Sequence, residues 1–321
     1  MRFLRVSAGA DGYAAQIAET ATPAPGPDEV LVRVAASGVN RADLSQIAGK
    51  YPPPPGESEI LGMEISGRVA ETGEKICALL AGGGHAEYAA VPKGQIFPAP
   101  PSVDLVSAAG IPEAYITAYI NLVIEGRLLR HGRALIHAGA SGVGLAAIQT
   151  AKYLGASAAA TTRTASKIAA LKNAGADLAI DTRSASFADA IERAWGTDAV
   201  DVILDPVGAD TFAENLRTLS LGGRVIFLAA MSGAKTELDI GLLMKKRARV
   251  IGSTLRSRSR SEKAEIVARF RKDILPGFDS GALSVRIDSV YPPERAAEAF
   301  TRMKKNENTG KILIDWSGES R

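Results

Sequence analysis

The sequence predicts an α/β protein of two lobes, an irregular β lobe followed by a doubly wound parallel sheet, and three observations carry that expectation. At 321 residues the chain exceeds the usual single-domain size, and its 46% hydrophobic content suffices for two cores. The first third is rich in Gly and Pro and shows only short alternating runs, the texture of irregular β structure. From about Ile111 onward, apolar strand-like runs alternate with helical ones, the pattern of a parallel sheet with crossover helices.

In the first lobe, residues 30–35 and 64–69 alternate apolar with polar side chains and read as strands. In the second, strands are expected at 134–137, 158–162, 178–181, 200–205, 224–229 and 249–253. Crossover helices are expected at 165–174, 187–195 and 210–219, with Gly175 and Gly222 as their stops. The last segment holds a charged helix at 261–272 and strand-like runs at 284–290 and 311–314, and is expected to return to the first lobe and complete it. The prolines at 52–55 read as a rigid loop.

Composition narrows the function. With 38 basic and 35 acidic residues the formal charge is only +3, which argues against a nucleic-acid or anionic-membrane partner. The basic clusters Lys245-Lys246-Arg247 and Arg256 to Arg260 read as solvated charge. Cys77 is the single cysteine, so no disulfide forms within the chain and no CxxC metal lobe exists. That suits a reducing cytoplasm, as does an N-terminus without a signal-peptide core. No run of about 18 apolar residues is present, so a membrane span is not expected.

Arg133 to Gly155, RALIHAGASGVGLAAIQTAKYLG, carries the most chemistry. A buried strand, 134–136, meets a glycine-rich turn and then a helix on which Val143, Ala146, Ala147, Thr150 and Leu154 recur at helical spacing before Gly155. Gly139, Gly142 and Gly144 permit a tight bend and close approach of a ligand, while free N–H groups and the positive helix end favour a diphosphate. The spacing Gly139-x-Ser141-x-x-Gly144 puts a serine where G-x-G-x-x-G has its second glycine. A plain strand-to-helix connection uses the same residues, so the neighbours decide. In NAD-binding folds an acidic residue about twenty positions further on holds the ribose hydroxyls. Here no Asp or Glu precedes Asp177, and Thr162, Arg163, Thr164 and Lys167 are able to surround a 2′-phosphate. NADPH is therefore expected over NADH; the competing reading makes Arg163 and Lys167 exposed helix charges.

Asn40-Arg41-Ala42-Asp43-Leu44, the loop from Gly49 to Gly56, Leu61-Gly62-Met63-Glu64-Ile65-Ser66-Gly67, the run from Ala78 to Tyr88 and Ile136 to Gly144 together resemble the quinone oxidoreductases of the medium-chain dehydrogenase/reductase superfamily, nearest the p53-inducible branch. The resemblance spans the whole chain, including Arg256-Ser257-Arg258 and Thr309-Gly310-Lys311-Ile312. It implies a GroES-like catalytic domain at 1–112, completed by 257–321, a Rossmann NADPH-binding domain at 113–256, and an active site in the cleft between lobes. The positions that hold zinc in zinc alcohol dehydrogenases match Asn40 and Met63, neither a good zinc ligand, and the cysteine-rich structural zinc loop is missing. Between Ala70 and Lys75 the chain is shorter than the family pattern. No metal is expected. Without a Lewis acid, an acceptor that delocalises charge is favoured, a quinone or an α,β-unsaturated carbonyl.

By this similarity Tyr51 and Asn40 line the site, Tyr51 stacking on or hydrogen-bonding the acceptor; the alternatives are a tyrosine packed on the prolines and an asparagine satisfying its own turn. Thr117 is expected near the nicotinamide. Strand-end topology adds Val207, Ala229, Met231, Leu255 and Arg256 as cofactor contacts, although Met231 and Leu255 also suit a core. Asp43 reads as structural. His85, where the relatives would have tyrosine, reads as a surface-loop histidine more readily than a general acid, and His131 and His137 lack metal spacing. The expected activity is NADPH:quinone reduction, by one or two electrons. An enone or enoyl-thioester reductase and a low-turnover NADPH-binding sensor or structural protein are the rivals. Relatives dimerise through the strands near 224–229 and 249–253, so a homodimer is expected.

Overall fold

The run-by-run alternation becomes two units in the computed structural model of the chain, which describes residues 1–9 and 12–318. One unit is Met1–Ile116 together with the chain from Leu255 onward; the other is Thr117–Thr254.

Unit 1 begins with β1 (Arg2–Gly9) and β2 (Gly12–Glu19), an antiparallel pair. β3 (Glu29–Val39) is followed at once by α1 (Arg41–Ile47), then β4 (Glu64–Val69), β5 (Lys75–Leu79), β6 (Tyr88–Pro92) and β7 (Ile96–Pro98). Two short helices follow, α2 (Leu105–Ala108) and α3 (Pro112–Tyr119); a proline is tolerated in a first turn because its missing N–H has no helical acceptor to lose.

Unit 2 alternates strictly: β8 (Arg133–Ile136), α4 (Gly142–Tyr153), β9 (Ser157–Thr162), α5 (Ile168–Asn173), β10 (Leu178–Asp181), α6 (Phe187–Trp195), β11 (Val200–Asp205), α7 (Phe212–Thr218), β12 (Leu219–Phe227), α8 (Ile240–Lys246) and β13 (Arg249–Gly252). The six strands are parallel in the order β10-β9-β8-β11-β12-β13. Leu135, Ile180, Phe187, Ile203, Phe212 and Val225 fill its core. The order reverses at β8, so the crevice where such sheets bind ligands opens after that strand, at the glycine turn.

Two expectations shift here. The helix expected at 210–219 ends at Thr218, and Gly222 is not its stop. Gly222 instead lies within β12 at φ +80, where pairing with β11 jumps from Val200↔Leu219 to Val202↔Arg224. The positive φ accommodates the extra residues. The strand expected to start at Arg224 thus starts five residues earlier, because apolar Leu219 is wholly buried in the sheet.

The chain then rejoins unit 1 through α9 (Arg260–Asp273), α10 (Pro276–Asp279), β14 (Ile287–Tyr291), α11 (Ala296–Lys304) and β15 (Lys311–Asp315). β15 pairs antiparallel with β3, giving a mixed sheet ordered β14-β15-β3-β4-β5-β7, with β6 also on β3. Its core gathers Val32, Ile65, Ile76, Phe300, Ile312 and Trp316. Among the described residues no helix is long and apolar enough to cross a membrane.

Candidate functional site

The turn after β8 is built around Ser141, which caps α4: its Oγ accepts the Gly144 N–H at 3.0 Å. A serine with extended φ and ψ is a favoured N-cap, so the departure from glycine stabilises the helix start. Ala138 turns the chain at φ +49, and the Gly139 N–H donates to the Thr161 carbonyl of β9. A side chain at Gly144 would meet the Ala138 carbonyl oxygen at 2.5 Å, and one at Gly139 would meet Ala160 Cβ at 2.9 Å. Both glycines let the turn fold onto the sheet and helix. The N–H groups of Gly142 and Val143, in the first helical turn, have no acceptor among the described residues and are partly exposed. Two open donors at a helix N-terminus, with its positive dipole end, suit an anionic phosphate.

At the end of β9, Thr162 is buried and its Oγ1 accepts the Thr164 N–H, while Arg163 is exposed. Lys167 follows in a short 3-10 turn, Ala165–Lys167. Sheet register sets Asp181 of β10 beside Thr162, a carboxylate that spacing along the sequence could not reveal, and Asp181 Oδ1 accepts the Arg183 N–H at 3.0 Å. Arg183 is thus a third basic residue in this corner, missed because it arrives from the neighbouring strand.

Behind the turn lies a buried polar chain. His137 Nδ1 meets Thr161 Oγ1 at 2.9 Å and Nε2 meets Asn215 Oδ1 at 2.7 Å; Asn215 Nδ2 donates to Asp205 Oδ2 at 2.6 Å. Asp205 also accepts the Thr211 hydroxyl and the N–H groups of Val207 and Gly208. The amide orientation of Asn215 makes Nε2 of His137 the protonated nitrogen, so Nδ1 accepts from Thr161. Burial lowers the His137 pKa and keeps the ring neutral. The network ties the ends of β9, β8 and β11 together. It also engages both backbone groups of Val207, whose carbonyl accepts from Ser232, leaving only its side chain for a ligand. Ala229 and Met231, after β12, are exposed. Thr117 is partly exposed, with its carbonyl on Asn121 and its hydroxyl unengaged among the described residues.

In unit 1, Asn40 caps α1 from the end of β3, and both atoms of its amide are engaged inside the unit: Nδ2 donates to Gly38 O at 3.2 Å and Glu64 Oε1 at 2.8 Å, and Oδ1 accepts from Lys311 Nζ at 2.7 Å. Lys311 also pairs with Glu64, both buried. Gly38 is required by close approach, since a Cβ there would meet Glu64 Oε1 at 2.2 Å. Asp43 accepts the N–H groups of Asn40 and Gly62, the structural role expected of it.

His85 is not on the surface: it is fully buried, edge-on to Phe300, with Nδ1 2.8 Å from Ser37 Oγ and Nε2 3.7 Å from Asp43 Oδ2. The glycines before it close a tight bend, and a Cβ at Gly62 would strike its N–H nitrogen at 2.4 Å, so the apparent loop is folded into the sheet core. The basic clusters also depart from solvated charge. Lys246 is buried and caps the C-terminal carbonyls of α7 by bonding Arg217 O and Leu219 O, and it pairs with Asp198. Arg256 is buried, donating to Ala81 O at 2.6 Å, Tyr51 O at 3.0 Å and Gln46 Oε1 at 2.7 Å, with its guanidinium 5.4 Å from the Tyr51 ring centroid. These bonds anchor the Tyr51 loop to Arg256. Leu255 is buried beside it in the sequence.

Tyr51 packs on this arginine, is partly exposed, and has a hydroxyl without a partner among the described residues. Burial, then the Glu113 charge, push its pKa up, against Arg256, so the phenol stays protonated. Met63 lies buried in the core, the Cys77 thiol is pushed up by burial, and no group of three or more His, Cys, Asp or Glu among the described residues is arranged to hold a metal ion.

A β unit joined to a parallel dinucleotide-type unit defines a class of oxidoreductase, and comparison with known proteins specifies it. Residues 26–101 match the alcohol dehydrogenase GroES-like domain and residues 142–271 the zinc-binding dehydrogenase family. The chain is 31% identical over 332 residues to the synaptic vesicle membrane protein VAT-1 homolog of Rattus norvegicus, covering 95% of this chain and 81% of that protein. It is 28% identical over 307 residues to quinone oxidoreductase of Homo sapiens, covering 92% of each. Among solved structures, the quinone oxidoreductase from Thermus thermophilus, described alone and in complex with NADPH, superposes with a TM-score of 0.81 at 29% identity, over 98% of this chain and all of that one. The chain belongs to the medium-chain dehydrogenase/reductase superfamily.

Proposed function

We propose that the chain is an NADPH-dependent, zinc-free reductase of quinones. The observation that carries this is the turn after β8, whose Gly142 and Val143 N–H groups are unengaged, set in the sheet beside a β9 end that bears Thr162 and Arg163 and no carboxylate of its own. NADPH, when bound, supplies a hydride from C4 of its dihydronicotinamide. Gly139, Ser141, Gly142, Val143 and Gly144 hold its diphosphate; Thr162, Arg163 and Lys167, with Arg183, hold the 2′-phosphate. Thr117, Ala229 and Met231 complete the contacts from this unit. The acceptor is a quinone because such a molecule spreads incoming charge over its ring and needs no Lewis acid, and because Asn40 and Met63 offer none. Asn40 acts by locking Glu64 and Lys311, and Tyr51 meets the acceptor through its open hydroxyl.

The similarity to quinone oxidoreductases supports this reading. So does the open β13 edge of the sheet, flanked by exposed Val250, Ile240, Met244 and Leu221, for a homodimer that light scattering would register at twice 33.5 kDa.

Titration with NADPH and NADH, then a panel of naphthoquinones, phenanthrenequinone, enones and crotonyl thioester, tests the proposal. NADPH should bind at least about tenfold tighter, roughly 1.4 kcal/mol, and Arg163→Ala should remove most of that margin while leaving NADH affinity unchanged. Equal affinities would sink the cofactor assignment. Turnover of enones alone would make the chain a double-bond reductase, and tight binding without oxidation by any acceptor would make it a sensor.

A further inference from the structure

The helix that begins as α3 runs on into a π-helical turn, Ile120–Glu125, which Gly126 closes. Single π-turns are rare and occur frequently at functional sites. This one is pressed onto the parallel sheet of unit 2, since a Cβ at Gly126 would meet the Asn121 carbonyl oxygen at 2.5 Å and Val202 Cγ1 of β11 at 2.7 Å. Of residues 117–122, all but Thr117 are buried, so Thr117 is where this stretch is open to a ligand.

Asn121 stands one turn beyond it, inside the π-turn and only 2% exposed. Its Nδ2 donates to the Thr117 carbonyl at 2.7 Å, and its Oδ1 is buried with no hydrogen-bond partner among the described residues. Only the amide nitrogen is able to meet a carbonyl, so the orientation is fixed and Oδ1 is the atom left over. A buried acceptor without a donor is costly, whereas a leucine, of similar shape, would fill the position without that cost. Stability therefore does not account for an amide here. What the amide does is hold the backbone of the one open residue.

We propose that Asn121 is a positioning residue for the nicotinamide end of NADPH, acting through Thr117; this rests on the reading of Thr117 as a nicotinamide contact. The bond from Asn121 Nδ2 fixes the Thr117 backbone just before the helix changes from an α- to a π-turn. A β-branched threonine in a helix has two favoured rotamers, so a fixed backbone restricts its hydroxyl to two directions. A hydroxyl both donates and accepts, which suits the carboxamide of a nicotinamide. Thr117, Asn121 and the glycine turn after β8 all belong to unit 2, and the bond between the first two needs nothing from unit 1.

The test compares two ligands on the full chain. NADPH carries the nicotinamide, whereas adenosine 2′,5′-bisphosphate keeps the adenosine and the 2′-phosphate and lacks it. In Asn121→Leu the Kd for NADPH should rise about three- to tenfold, the loss of one neutral hydrogen bond, while the Kd for adenosine 2′,5′-bisphosphate stays as in wild type. Asn121→Ala should show the same split and replaces the leucine variant should that one not fold. Thr117→Val should weaken NADPH alone by a similar factor, and the double variant should be no weaker than the weaker single one, because both changes act through one contact. An Asn121 variant that weakens both ligands alike, or that binds NADPH as wild type does when Thr117→Val has weakened it, overturns the positioning role alone. A Thr117→Val variant that binds NADPH as wild type does overturns the reading of Thr117, and the positioning role with it.

Discussion

In unit 2 the buried side chains of Thr161, His137, Asn215, Asp205 and Thr211 form one closed chain of hydrogen bonds, whereas in unit 1 Glu64, Lys311 and Asn40 form a charged lock. The closed chain contains a buried carboxylate and no cation; Asp205 is satisfied by neutral donors alone, two of them backbone. Such an arrangement fixes where three strand ends lie and leaves no side chain to spare. The lock in unit 1 fixes Glu113 by its backbone and leaves the carboxyl open. One network fixes main chain where three strand ends meet, and the other fixes side chains around a buried ion pair.

The sharpest way to break the comparison is to remove the cation of the lock. Lys311→Met leaves Glu64 buried and unpaired, since Asn40 Nδ2 and the Glu113 N–H together do not neutralise it. Denaturant unfolding should show unit 1 destabilised by about 3–5 kcal/mol, the range for breaking a buried pair, and Glu64→Gln in the same chain should restore most of the loss. If the single variant is as stable as wild type, the lock does not hold unit 1 together.

A smaller effect separates the two networks by pH. His137 is buried neutral with its pKa held below 6.5, so the folded state binds fewer protons than the unfolded state at acid pH. The associated stability is present above about 6.5 and is lost as pH falls below it, at up to about 1.4 kcal/mol per unit. Unfolding monitored at Trp195, in unit 2, should follow that slope, whereas in a His137→Leu variant the slope should flatten.

Much of unit 2 was legible in the sequence because its central strands β8, β9 and β11 are buried apolar runs; β10, β11 and α6 lie where their runs place them. Unit 1 was legible in composition but not in contact. His85 looked like loop because four of the five residues from Gly82 to Ala86 are small, and small residues equally allow a chain to fold tightly onto a core. Arg256 is expected among the cofactor contacts because it follows the carboxyl end of a strand, and nothing local says that its donors meet the carbonyls of residues 51 and 81. The Glu64–Lys311 pair gave no signal at all: 247 positions separate the two residues, and what joins them is a property of the folded surroundings.

The smallest predicted effect bears on the turn where unit 2 does leave capacity open. Ser141 Oγ occupies the Gly144 N–H, and Gly142 and Val143 keep theirs. If the serine serves the helix and the backbone serves the ligand, Ser141→Ala should cost about 1 kcal/mol of stability and Ser141→Gly a few tenths. NADPH affinity should then change by less than about threefold in both, since the open N–H groups survive either change. An affinity loss of about tenfold in Ser141→Ala, with stability intact, would instead make the hydroxyl a direct phosphate ligand. In that case the hydroxyl and not the backbone would carry phosphate binding, at the residue that most distinguishes this turn from an all-glycine one.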